Sequence, residues 1–177
     1  IGAVGDNGVG VVGVNWRVGI QGVKFLCGNG YGSLWDGARS ILYAAQNGAR
    51  VVNASWGCRG CPSSYVEEAI RALGDAGGLL VASAGNDGMN IDSTPYYPGG
   101  YTLPNVVTIA ASTPSDQLAS FSNYGPGHVH VAAPGTSIRS TYPGSRYASM
   151  SGTSMASPHV TGASALLLSR FPELTPE

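Results

Sequence analysis

The chain has 177 residues, enough for one domain with a sizeable core. Charged residues make up 11% and the net charge is −1, so no basic surface points to nucleic acid, and no apolar run reaches membrane-spanning length. The 27 glycines and 11 prolines indicate many tight turns in a folded chain, not a low-complexity tract.

In chain order, Ile1–Asn15 is a glycine-rich opening, and Val18–Leu26 reads as a strand. Ser33 to Asn47 reads as a helix with Leu34, Ala38, Ile41, Leu42 and Ala45 on one face, closed by Asn47-Gly48. Val51–Ser55 is a second strand. Ser64-x-x-Glu67 has capping-box spacing and predicts a helix to about Ala76, stopped by Gly77-Gly78. Leu79–Ala84, Val106–Ala111 and the shorter Val129–Ala132 follow as strands. The last helix is expected from about Ser154 to Arg170, with Pro158 in its first turn, where a missing N–H costs nothing. Strands alternating with helices predict an α/β fold with a mostly parallel sheet and helices on both faces. Ligands of such sheets bind at the carboxyl ends of the strands.

Two motifs carry chemistry. Residues 152–162 read Gly-Thr-Ser-Met-Ala-Ser-Pro-His-Val-Thr-Gly, which sets Ser154 at a helix N-terminus, near free backbone N–H groups and the positive end of the dipole. Alone, Ser154 reads equally as an N-cap. Residues 81–88, Val-Ala-Ser-Ala-Gly-Asn-Asp-Gly, end an apolar strand in a turn that holds Asn86. Asn86 alone would be a turn residue tolerant of left-handed geometry. Together the two strings resemble the nucleophile and oxyanion-hole segments of the subtilisin-like serine proteases, the subtilases. The resemblance implies an acyl-enzyme on Ser154, with Asn86 and the Ser154 N–H holding the oxyanion.

The family's order is Asp, His, then Ser, and its Asp-Ser/Thr-Gly and His-Gly-Thr-His motifs do not occur here. Ile1–Asn15 resembles the end of the helix that carries the catalytic histidine, plus the loop after it. Residues 1–177 are therefore expected to be a partial catalytic domain, truncated at the N-terminus and slightly at the C-terminus, at Glu177. The three histidines do not supply a base: His159 follows Ser154 on the same helix, and His128 and His130 sit on a turn running into a strand. Alone, the chain is expected to be nearly inactive, and the exposed sheet edge is expected to leave it unstable or aggregating.

By position in the family, Ser55, Trp56 and Gly57, with Ser83, Ala84 and Gly85, should wall the pocket for the residue before the scissile bond. Gly30-Tyr-Gly32 should form the facing edge, and Leu34 and Trp56 should border a pocket three residues further upstream. No charged wall lines these pockets, apart from Asp87 at the rim, so a broad, apolar-leaning specificity is expected. Gly5-Asp-Asn-Gly-Val-Gly-Val11 resembles the family's tight calcium loop. The implied ligands are the Asn7 side chain and the carbonyls of Gly5, Val9 and Val11, a set suited to a hard cation, though further family ligands lie upstream. A phosphate loop fails because no Gly-Lys-Ser/Thr follows.

No cofactor is expected for catalysis, and the Ca2+ is structural. Expected partners are a peptide or protein substrate and a propeptide or protein inhibitor. Cys27, Cys58 and Cys61 point to a disulfide, either within Cys58-Arg-Gly-Cys61 or between one of that pair and Cys27, and hence to secretion. Two other functions compete. A non-catalytic peptide-binding module of the family would have no need of Ser154 and Asn86. A serine esterase would want Gly-x-Ser-x-Gly, which Ala156 breaks.

Overall fold

The computed structural model describes residues 1–176. A parallel sheet of four strands forms its centre: β1 (Val51–Ala54), β3 (Leu79–Ser83), β5 (Val106–Ser112) and β6 (Val131–Pro134), ordered β1-β3-β5-β6. The register sets Val51 against Leu79, Leu80 against Val106 and Ile109 against Val131. Residues of β3 alternate between faces. Leu80 and Ala82 point to one core, and Val81 to the other.

Helices α1 (Leu34–Gln46) and α2 (Ser64–Asp75) cover the first face. Ser33 caps α1, its Oγ accepting the Asp36 N–H at 3.0 Å. Ala38 and Ile41 of α1 and Val66, Ala69, Ile70 and Leu73 of α2 are buried against Ala54, Leu80, Ala82 and Val106. Helix α3 (Thr153–Arg170) covers the second face, where Ala156 meets Val81, Ile109, Ala111 and Ala133. The expected architecture is present: a parallel sheet with helices on both faces. Two antiparallel pairs flank it. They are β2 (Cys58–Arg59) with β4 (Tyr96–Tyr97), and the hairpin β7 (Ile138–Tyr142) with β8 (Arg146–Met150).

Several local expectations are corrected. Val18–Leu26 forms no ladder. It lies across a cleft of about 1110 Å³ from the free edge of β1, lined by Val23, Phe25, Val51 and Val52 among others, so its backbone finds no partner strand. The capping box does not form, because α2 begins one residue earlier, with Ser63 at the cap position and no side-chain cap bond. Ser63 is tied instead to Tyr101, whose hydroxyl accepts its N–H at 2.8 Å. β6 starts at Val131, not Val129. Pro158 lies inside α3, beyond its first turn. The hairpin β7–β8 has no counterpart in the sequence reading.

Candidate active site

The carboxyl ends of β1 and β3 and the N-terminus of α3 converge at Ser154, the second residue of α3, which is half-buried. Its hydroxyl donates to the Ser55 carbonyl at 3.2 Å. Its own carbonyl accepts from Ser55 Oγ at 3.0 Å. The second bond follows from Pro158. In a helix the Ser154 carbonyl would be bonded by the N–H of residue 158, which proline lacks. Ser55 Oγ takes that place, and is itself held by Asn53 Nδ2 at 2.9 Å. The Asn53 side-chain oxygen Oδ1 accepts the Ser157 hydroxyl at 2.9 Å and the Thr161 hydroxyl at 3.0 Å, which fastens β1 to α3.

Asn86 sits on the exposed loop after β3. Its side-chain oxygen accepts the Thr153 N–H at 2.8 Å and the Thr153 hydroxyl at 2.9 Å. The Gly85 N–H donates to that hydroxyl at 3.2 Å. With its oxygen doubly engaged, Asn86 has its amide Nδ2 left as a free donor among the described residues. The Thr153 N–H is consumed and the Met155 N–H is bonded to Gly152 at 3.0 Å. Among the described residues the Ser154 N–H has no partner. Two donors therefore stand at the helix N-terminus, where the dipole favours negative charge.

Asn123, fully buried, braces the loop. Its oxygen accepts the Asp87 N–H at 2.9 Å and the Met89 N–H at 3.3 Å, and its Nδ2 donates to the Ala84 carbonyl at 2.9 Å. Thr153, Asn53 and Asn123 were not singled out by sequence reasoning. Asn53 alone gave a signal, as a polar residue inside the apolar run Val51–Ala54.

No described histidine bonds Ser154. His159 Nδ1 lies 2.8 Å from the Met155 carbonyl, and His128 Nδ1 lies 3.3 Å from Asp92. His130 Nδ1 accepts the Thr108 N–H at 3.0 Å. Burial pushes the His130 pKa below its usual value, and His128 pushes the same way.

Of the residues expected to wall the cleft, Ser55, Trp56 and Gly57 follow β1 directly, and Ser83, Ala84 and Gly85 close β3. Trp56 packs edge-on against Phe25, with centroids 5.0 Å apart, and joins Leu34 on the core beneath α1. Gly30 and Gly32 lie in an exposed turn before Ser33, closed by the Gly30 N–H on the Cys27 carbonyl at 2.9 Å. Cys58 and Cys61 form a disulfide, and Cys27 is free and exposed.

The loop of Gly5, Asn7, Val9 and Val11 is a bend in which Asn7 Oδ1 accepts the Val9 N–H at 3.1 Å. Its ends are pinned by Gly13 N–H on Ala3 and Asn15 N–H on Ile1. The carbonyls of Gly5, Val9 and Val11 accept no hydrogen bond among the described residues. Such an all-oxygen donor set fits a hard cation.

A profile of the Subtilase family matches residues 1–177. The chain belongs to the subtilase family. It is 47% identical over 165 residues to the thermophilic serine proteinase of Bacillus sp. (strain AK1), covering 93% of this chain and 39% of that protein. To Subtilisin Savinase of Lederbergia lenta it is 41% identical, covering 94% and 60%. A solved protease from Pseudoalteromonas arctica superposes with a TM-score of 0.91 at 35% identity, covering 99% of this chain and 57% of that one. A cold-adapted subtilisin-like serine proteinase superposes at 0.83 with 36% identity, covering 93% and 58%. This subtilase chain thus spans between 39% and 60% of the length of these relatives.

Proposed function

We propose that the protein containing this chain is a serine endopeptidase. Ser154 Oγ attacks the peptide carbonyl, and the oxyanion that develops is held by Asn86 Nδ2 and the Ser154 N–H. The observation that carries this reading is the pair of hydrogen bonds from the Thr153 N–H and hydroxyl to the Asn86 oxygen, which leaves the amide nitrogen free beside Ser154 among the described residues. A binding module gains nothing from a fixed donor there, and acyl transfer requires one. The base that takes the Ser154 proton, and the carboxylate that orients that base, come from outside these 177 residues.

Substrate lies extended along Ser55–Gly57, facing Gly30–Gly32, and adds main-chain hydrogen bonds to the cleft. Among the described residues the N–H and C=O of Trp56 have no intramolecular hydrogen bond, which suits that role. A bound Ca2+ on Asn7 and the carbonyls of Gly5, Val9 and Val11 would stiffen the N-terminal loop and take no part in the chemistry. The Cys58–Cys61 disulfide supports secretion.

The test is labelling of the full-length protein with a fluorophosphonate. Modification at Ser154, lost in Ser154→Ala, is the expected result. Peptide binding without labelling would make the protein a non-catalytic member of the family.

A further inference from the structure

Tyr96 fills the slot between the two segments that wall the cleft beside Ser154. A Cβ placed on Gly57 would collide with Cε1 and Cδ1 of the Tyr96 ring. One placed on Gly85 would meet Cδ2 and Cε2, the opposite edge, at 2.8 and 2.9 Å. The gap between Gly57 and Gly85 is therefore one aromatic ring wide, and this chain supplies the ring. Glycine is required at both positions by close approaches that include this ring: the Tyr97 carbonyl oxygen also crowds Gly57, and Asn123 Nδ2 also crowds Gly85, whose φ of +95° favours glycine as well.

The ring is fixed in place. Its hydroxyl donates to the Gly57 carbonyl at 3.0 Å. Tyr96 pairs with Arg59 in the β2–β4 ladder, and the Gly100 N–H donates to the Tyr96 carbonyl at 2.8 Å. Beside it, the Gly60 N–H donates to the Pro95 carbonyl at 2.9 Å, and the Cys58–Cys61 disulfide closes the β2 turn.

We infer that Tyr96 is a specificity-determining residue that occupies the pocket for the residue before the scissile bond, restricting that position to small side chains. The inference rests on the endopeptidase reading and replaces the broad, apolar-leaning preference expected from the sequence. A large P1 side chain would have to displace the ring, breaking the Gly57 bond and the packing on both glycines. A glycine, alanine or serine side chain would not.

The test uses the full-length enzyme and peptide anilides identical except for Ala, Leu or Phe at the last residue. The wild type is expected to favour Ala over Phe in kcat/KM by about tenfold or more, the scale of discrimination that a size-limited pocket provides. Tyr96→Ala should reverse the order, and Tyr96→Phe, which keeps the ring, should keep it. Equal turnover of Ala and Phe substrates by the wild type, or an unchanged ratio in Tyr96→Ala, overturns the inference.

If Tyr96→Ala does not fold, the wild-type and Tyr96→Phe ratios decide. If nothing is hydrolysed, the endopeptidase reading fails, and calorimetry with product peptides ending in Ala or Phe decides the pocket. Tighter binding of the Ala peptide supports it, and equal or absent binding overturns it.

Discussion

At the scale of single residues, the site is a set of hydrogen-bond assignments that leave particular groups unpaired. Thr153 fixes which end of the Asn86 amide faces the cleft. Thr153→Val removes the hydroxyl bond but keeps the shape and the backbone bond. It is expected to lower kcat by roughly tenfold with little change in KM, because the donor is loosened but not removed. Asn86→Ala should cost on the order of 100- to 1000-fold, the magnitude known from a subtilisin in which the equivalent donor was removed. Steady-state kinetics on the full-length enzyme measure both.

His130 makes a pH prediction. Its folded pKa lies below the ordinary histidine value because of burial and then His128. The stability it contributes is thus present above that ordinary value and is lost as pH falls through the depressed folded one. Protonation also removes the acceptor for the Thr108 N–H, which is buried. Melting temperature should therefore fall between pH 7 and pH 5 by less in His130→Asn than in the wild type, as thermal scans at the two pH values would show.

At the scale of elements, Pro158 and Ser55 act together. Proline inside α3 frees one carbonyl, and the serine after β1 takes it, so a helix defect becomes the link between Ser154 and the segment after β1. Ser55→Ala should destabilise the protein by about 1 kcal/mol, the cost of leaving a carbonyl unpaired, read from urea unfolding. The sequence showed the elements better than these links. Strands of Val, Leu and Ile, the one-sided apolar pattern from Leu34 to Ala45 and the Gly77-Gly78 stop are local signals and correspond to elements of the fold. Val18–Leu26 has the same local pattern, yet a strand exists only with a neighbour, and none lies within reach. The Ser64–Glu67 spacing failed because Tyr101, far along the chain, holds Ser63. Ser154 and Asn86 were legible through their strings. Thr153, Asn123 and Tyr96 were not, because their roles are defined by partners dozens of residues away.

At the scale of the molecule, two cores share one sheet, and Ser154 and Asn86, the proposed catalytic groups, lie where both end. The β1 edge is open to the large cleft beside Val23 and Phe25, and an open edge of this kind invites intermolecular pairing. The isolated 177-residue chain is expected to aggregate on heating; a cooperative, reversible thermal transition would contradict this. The bracing of the Asn86 loop matters for survival as well as catalysis. On the proposed endopeptidase reading the enzyme is at every moment surrounded by copies of itself, and the exposed stretch from Asn86 to Asn90 is the kind of loop it should cut. Scission requires a backbone free to lie flat in another molecule's cleft. Here the N–H groups of Asp87, Gly88 and Met89 are committed to Asn123 and Phe121, so the loop cannot present itself without first being unlaced. The buried asparagine that steadies the Asn86 loop would thereby also shield the proposed enzyme from its own copies, and the Asn123→Ala variant should accumulate self-cleavage between residues 86 and 90, visible by mass spectrometry.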